Sequence, residues 1–269
     1  MDKFNQSVPS LLASQSTPLH QCSYLPDRAA RLEFIELKDA HSMGMALFSQ
    51  FSRLGFRRSG QHLYRPLCLH CQRCITTRVP VQDFIPSRSQ RRVLQRGQGI
   101  HSHVIGCDEL SEVHYQLYAR YICARHSDGD MYPPSYASFQ RFLQFSFTDS
   151  FCIEFWQDQK LVMVAVCDAL DDGLSAVYTF YDPALPRLSL GTLSILRQID
   201  YVKQQGLDYL YLGYWVPDSE KMQYKTNFYP IELLINQTWH YFDHQVSRTD
   251  VEPYLQAALK QRYRDSWQR

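Results

Sequence analysis

Apolar and polar residues change rhythm along the chain, and each change predicts an element. RLEFIEL (31–37) alternates imperfectly and predicts a strand. Gly44, Leu47, Phe48, Phe51 and Leu54 then recur at helical spacing, with Gly55 as the stop. FRRSGQHLYRP (56–66) predicts a hairpin turning at Ser59-Gly60. CITTRVPVQDF (74–84) predicts a strand that Pro80 marks as an edge or a bulge. SRSQRRVLQRG (87–97) predicts a short basic helix, opened by a Ser-x-x-Gln capping pattern and closed at Gly97.

The character of the sequence shifts near 100–108. A helix is predicted next, with Leu110, Val113, Leu117 and Tyr121 on one face. The polar loop 126–134 leads to a second helix carrying Tyr136, Phe139, Phe142 and Leu143. FCIEFW (151–156), KLVMVAVCDA (160–169) and LSAVYTFY (174–181) predict three strands, the last two joined by a hairpin at Asp172-Gly173. The helix at 191–206 has a stripe of Leu193, Leu196, Ile199 and Val202. A strand at 209–213, a loop at 214–230, strands ELLI and TWHYF, and an amphipathic helix at 251–264 complete the chain. This order predicts an α+β fold with a largely antiparallel sheet. It fits a GNAT-type acyltransferase, in which a strand leads into a helix whose N-terminus faces the acyl donor, and other α+β folds share it. The expected division is a smaller cysteine-containing α+β domain at 1–100 and a GNAT-like domain at 101–269.

Composition narrows the class. With 45% hydrophobic and 20% charged residues the chain is a folded globular protein. No apolar run approaches the ~20 residues needed to span a bilayer, and the N-terminal apolar run is only Leu11-Leu12-Ala13, so a cytoplasmic location without membrane association is expected. The 8 cysteines are then thiols or metal ligands, not a disulfide framework. The net charge of +1 conceals an uneven distribution. Arginines 53, 57, 58, 65, 73, 78, 88, 91, 92 and 96 fall in a stretch whose one acid is Asp83, so this half offers a polyanion something to hold.

Five constellations carry candidate chemistry. Cys68, Cys71 and Cys74 stand in a C-x2-C-x2-C run, with Cys22, His62 and His70 available as a fourth ligand for zinc. The run also opens an iron–sulfur pattern, but Arg78 stands where the fourth cysteine belongs, and three buried thiols are the plain alternative. The arginine stretch, interleaved with Phe56, Tyr64 and Phe84, suits a structured RNA; a solvated basic face is its alternative. RHSDGDM groups Arg125, Asp128 and Asp130 around a glycine, where they can bind polar groups of a substrate, a cation, or only each other. YDPALPRLSLGT (181–192) delivers a strand into a helix N-terminus through Ser189 and Gly191, whose free amides favour an anion or a developing oxyanion. Lys221 and Lys225 in EKMQYK face either an acidic group or water.

Taken together, CSYLPDRAARLEF (22–34), FRRSGQHLYRPLCLHCQRCITTRVPV (56–81), RHSDGDM (125–131), YTFYDP (178–183), SLGT (189–192), YLGYWV (211–216) and KMQYKTNFYP (221–230) closely resemble the aminoacyl-tRNA–protein transferase family, in particular its bacterial, leucine-transferring branch. The resemblance runs in order from Cys22 to about residue 234. It implies a GNAT-like transferase domain behind a cysteine-bearing one. The activity it implies is transfer of leucine from leucyl-tRNA to the N-terminal amine of proteins beginning with Asp or Glu, which marks them for degradation under the N-end rule. The arginine-transferring relatives carry adjacent cysteines where this chain has Cys71-x2-Cys74, and they are associated with metal, haem or iron–sulfur binding. Zinc and an iron–sulfur centre both stay open, with Cys22, Cys68, Cys71 and Cys74 as ligands.

Within that reading, Arg58, Arg65, Arg78, Arg125 and Lys221 are candidates to meet the acidic side chain, with Tyr64, Asp128, Asp130 and Lys225 beside them. Arg88, Arg91, Arg92 and Arg96 are candidates for tRNA, and Tyr181, Asp182, Ser189 and Gly191 for catalysis. The rivals are arginyl transfer, an acyl-CoA-dependent N-acetyltransferase, for which RLSLGT (187–192) matches the pyrophosphate loop only in part, and a non-enzymatic zinc-knuckle RNA-binding protein.

Overall fold

The computed structural model describes residues 14–37, 43–129, 131–146 and 148–267, with side chains to residue 260. Its strands are β1 (Gln15–Ser16), β2 (His20–Gln21), β3 (Ala29–Ala30), β4 (Leu32–Glu36), β5 (Arg57–Ser59), β6 (His62–Pro66), β7 (Ile75–Pro80), β8 (His101–Gly106), β9 (Ser150–Gln157), β10 (Lys160–Leu170), β11 (Gly173–Tyr181), β12 (Tyr209–Trp215), β13 (Ile231–Ile235) and β14 (Thr238–Phe242). Its helices are α1 (Met45–Arg53), α2 (Arg88–Arg96), α3 (Glu112–Arg125), α4 (Tyr136–Phe139), α5 (Leu190–Gln204) and α6 (Arg248–Trp267).

Among the described residues a mixed sheet runs in the order β14-β13-β7-β12-β11-β10-β9-β8. Neighbours are antiparallel except β11 and β12, which run parallel and are joined through α5. Strand β10 shows why the sheet sits in the middle. Met163, Ala165 and Cys167 pack with Leu193, Leu196 and Ile199 of α5, while Val164 and Val166 pack with Leu117 and Ile122 of α3. An apolar run buried on both faces is what a central strand between helical layers requires. A smaller sheet, β1-β4-β6-β5, packs with α1 around Phe48, Phe51, Phe56 and Leu63 and touches the large sheet through Leu170 and Tyr211. This is the expected mixed helix and sheet composition, with a largely antiparallel large sheet.

Several expectations shift in position. Strand β7 lies between β13 and β12, so Pro80 marks neither an edge nor a bulge; it is the last residue of its strand, and the ladder is continued by Val81 N donating to Asp208 O. β8 went unpredicted because HSHVIG is mostly exposed on the outermost strand, where no buried face imposes alternation. In α3 the buried face is His114, Leu117, Tyr118, Tyr121 and Ile122, and Val113 points outward at 49% exposure. The second predicted helix is one α turn, α4, continued by a π turn at Gln140–Gln144. The hairpin between β10 and β11 turns at Asp171-Asp172, with Leu170 opposite Gly173. Gly173 is needed for a different reason: a Cβ there would lie 2.0 Å from Tyr209 O, so only glycine lets β12 close against β11.

Candidate active site

The parallel pair β11 and β12 is joined for three residues only. Gly173, Leu174 and Ser175 face Tyr209, Leu210 and Tyr211, and beyond them no ladder pair links the two strands. β11 continues to Tyr181 and β12 to Trp215, so the pair forms a fork with arms of about 20 and about 13 Å at ~3.3 Å per residue. β12 carries a bulge at its opening, where Gly213 has φ +81°.

Side chains from other elements fill the fork. Arg57 of β5 donates through Nη2 to Ala176 O of β11 at 3.0 Å and approaches Tyr211 O of β12 at 3.5 Å. Lys225, in the 3-10 segment Glu220–Asn227, donates to Tyr214 O. The two cations thus take carbonyls that strand pairing leaves free. That segment is tethered by Gln90 of α2, which donates to Asn227 O, and by Lys221 with Asp128 at 2.9 Å, an exposed pair of little energetic weight. At the mouth of the fork Tyr181 packs edge-on against Tyr121 with centroids 4.8 Å apart. Burial, reinforced by Tyr181 and Tyr224, raises the Tyr121 phenol above its ordinary range.

The turn after β11 gathers the predicted catalytic group. Ser189 sits in the left-handed region at φ 51°, which swings the chain into α5. The amides of Leu190, Gly191 and Thr192 precede the helical bond from Leu193 N to Ser189 O, so they face outward at the helix start. The Tyr181 ring lies over Gly191, 3.6 Å from where a Cβ would stand. Arg96 of α2 donates to Ser189 Oγ at 3.3 Å, bringing the basic helix to this turn. Asp182 is buried and committed: Lys160 donates to one oxygen at 2.6 Å and Ala184 N to the other at 3.0 Å. Burial opposes ionisation of Asp182, but these partners prevail and hold its carboxyl below the usual range.

The candidates for acid recognition occupy different positions. Arg58 is buried against Asp168, its Nε 3.0 and 2.9 Å from the two oxygens. Arg65 donates to Glu33 at 2.6 Å and lies over the Phe56 ring. Arg78 donates to Glu232 and Tyr211 and stacks on Tyr209 and Trp239. Arg125 is exposed at the end of α3. Tyr64 packs edge-on against Tyr214 at 6.0 Å. Asp130 lies outside the described residues. Arg57, which sequence reading passed over, is the arginine at the fork; the available signal was strand parity, which sends adjacent Arg57 and Arg58 to opposite faces.

Arg88, Arg91, Arg92 and Arg96 are exposed on α2. Cys22, Cys68, Cys71 and Cys74 line one pocket together with Tyr24 and Tyr214. Burial, then the three neighbouring cysteines, pushes the Cys74 thiol up to about 12. Four sulfurs on one pocket suit a soft metal chemically, but among the described residues no three His, Cys, Asp or Glu side chains stand as a ligand group. Arg78, at the fourth position of the iron–sulfur spacing, is spent on Glu232. Among the described residues no helix is long and apolar enough to cross a membrane.

Comparison with known proteins gives two family matches: the N-terminal model of arginine-tRNA-protein transferase over residues 20–92 and the C-terminal model over 113–235. An aspartate/glutamate leucyltransferase of Acinetobacter baumannii (strain ATCC 17978) is 48% identical over 235 residues, 87% of this chain and 86% of that one. Its counterpart from Hahella chejuensis is 43% identical over 228 residues, 85% of this chain and 96% of that one. Among solved structures, FemX aligns over 65% of this chain and 61% of its own at a TM-score of 0.44 and 9% identity, values that assign no fold.

Proposed function

The chain belongs to the arginine-tRNA-protein transferase family, and from that premise we propose that it transfers leucine from leucyl-tRNA to the N-terminal amine of proteins beginning with Asp or Glu, with the fork between β11 and β12 as its active site. The observation that carries the donor and acceptor is the 48% identity to a leucyltransferase of that acceptor class across most of both chains. We read the β11–α5–β12 crossover as the GNAT-like part. The β1-β4-β6-β5 sheet with the cysteines is the N-terminal unit, which gives β7 to the large sheet. The exposed arginines of α2 are placed for tRNA phosphates, with Arg96 reaching the turn where the acyl group must arrive.

The reaction is aminolysis of an activated ester. An α-amine has a pKa of about 7.7–8.0, so near pH 7 about a tenth is neutral and deprotonation costs about 1–1.4 kcal/mol. Positioning can therefore supply most of the acceleration. The amine nitrogen attacks the ester carbonyl, a C–N bond forms, and the carbonyl oxygen takes up negative charge. The outward amides at the start of α5 are the donors for that oxygen. Collapse breaks the bond to the ribose oxygen, which receives the proton that the amine gives up. Tyr181, whose ring lies over Gly191, passes that proton, and Asp182 holds the turn through Lys160 and Ala184.

Single-turnover assays test this with labelled leucyl-tRNA or arginyl-tRNA and peptides beginning Asp, Glu, Lys or Ala. Leucine on the Asp and Glu peptides alone is expected. Transfer of arginine instead, or acetylation from acetyl-CoA in place of transfer, would overturn it. Tyr181→Phe should slow the single-turnover step about 10²-fold; an unchanged rate removes Tyr181 from the proton path. Cys22, Cys68, Cys71 and Cys74 share a pocket but stand as no ligand group among the described residues, so we read the run as thiols. Cys71→Ser should then leave single-turnover transfer unchanged; a stoichiometric zinc in the active protein, lost in that variant, would overturn this reading.

A further inference from the structure

Two basic side chains are buried at the fork with no acid to meet them among the described residues. Arg57 is 6% exposed and Lys225 5%. Both converge on Gly213: Arg57 Nε, Arg57 Nη2 and Lys225 Nζ each lie 3.5 Å from the point where a Cβ would stand. Neither forms an ion pair among the described residues. The contrast nearby is one of charge, with Arg58 paired to Asp168 and Arg78 to Glu232, although Arg58 Nη2 is itself a buried donor without a hydrogen-bond partner among the described residues. Asp168, whose charge reaches Arg57, is already taken by Arg58 and by the Ser150 hydroxyl.

Donors are also left over. Arg57 Nη1 is buried and has no hydrogen-bond partner among the described residues. Lys225 carries three N–H donors when charged and gives one to Tyr214 O. A buried charge without a partner is costly, and so is a buried donor left unmade. One species relieves all of this, an anion with two acceptor oxygens. Tyr224, next to Lys225 in the chain, is 46% exposed.

We propose that Arg57 and Lys225 are the acceptor-specificity site, binding the side-chain carboxylate of the N-terminal Asp or Glu at the floor of the fork so that the α-amine faces the ester. This rests on the transferase reading above. Asp and Glu differ by one methylene, which the four-carbon lysine stem absorbs. An Asn or Gln side chain has the same shape but no charge, and it leaves both cations uncompensated, so it is rejected. The backbone carbonyls of Ala176 and Tyr214 hold the two cations in place before the peptide arrives.

Lys225→Met keeps the stem and removes the charge. With wild-type protein, an Asp-peptide should raise the melting temperature and an Asn-peptide should not. In Lys225→Met that shift should vanish, while the free variant melts no lower than wild type because a buried charge is gone. In transfer assays KM for the Asp-peptide should rise about thirtyfold or more, and the preference for Asp over Asn should fall toward one. Arg57→Met should act alike; if it fails to fold, Lys225→Met alone decides. A variant that keeps both the shift and the Asp preference overturns the site. So does a variant that lowers kcat equally for Asp- and Asn-peptides with KM unchanged, because the pair would then serve the ester. Peptide binding lost in Lys225→Met beside a wild type that transfers nothing from leucyl-tRNA would keep the carboxylate site and sink the transferase reading.

Discussion

Lys225 has a signature independent of substrate. Burial and then the Arg57 charge pull its amine from 10.5 to about 7, with Cys74 opposing. Between those values the unfolded chain holds a proton that the folded chain has lost. Stability therefore rises with pH across that window, by up to about 1.4 kcal/mol per pH unit from this group. Below about pH 7 both states are protonated and the full penalty stands. Melting curves should show the largest gap between Lys225→Met and wild type below pH 7, closing as the pH climbs toward 10.5; a gap independent of pH would mean that Lys225 is not strained by burial. At this scale the sequence exposed residue type but not destination. Lys225 and Ser189 were legible beside their motifs. Arg58, Arg65 and Arg78 looked equally available, yet each meets an acid at least 32 positions away, a pairing that only tertiary structure creates.

Helix α2 shows what local pattern can and cannot establish. Its capping box was readable from Ser87 and Gln90: Ser87 Oγ accepts from Gln90 N at 3.3 Å, and Gln90 Oε1 accepts from Ser87 N at 2.8 Å. Gly97 read only as a stop signal, but it also has a packing role. A Cβ there would stand 2.7 Å from Leu193 of α5, so its absence sets how closely the basic helix approaches the turn at Ser189. Ser87→Ala should cost about 1 kcal/mol through the lost cap. Gly97→Ala should cost about 1–3 kcal/mol through overpacking and, unlike Ser87→Ala, should raise KM for leucyl-tRNA by moving Arg96. Denaturant titration and transfer kinetics on the pair separate the two effects; equal KM changes would deny Gly97 its spacing role. The strands were legible where burial imposed a pattern, as in β10, and illegible where it did not, as in β8.

The arginine stretch is where the whole molecule departs most from its linear charge map. Ten arginines against Asp83 looked like one cationic surface. In the folded chain Arg53 meets Asp171 and Asp172, Arg73 meets Asp218 and Glu252, and Arg58, Arg65 and Arg78 meet their own acids. The acids arrive from outside the stretch, which is why a chain of net charge +1 can build it. What remains facing solvent is the set on α2, so tRNA attraction should be modest and concentrated there. Each phosphate neutralised contributes about 0.9 to the slope of log affinity against log salt on a duplex and about 0.7 on a single strand. Replacing Arg88, Arg91 and Arg92 by Gln together should flatten that slope by about 2–3. Arg53→Gln or Arg73→Gln should leave it unchanged and lower the melting temperature only slightly, because the acids each one meets are partly open to solvent. Leucyl-tRNA binding measured across a potassium chloride series decides between them. A slope that falls as much in Arg73→Gln as in the triple variant would mean that the paired arginines release their acids to hold tRNA, and that the interface spans both sheets.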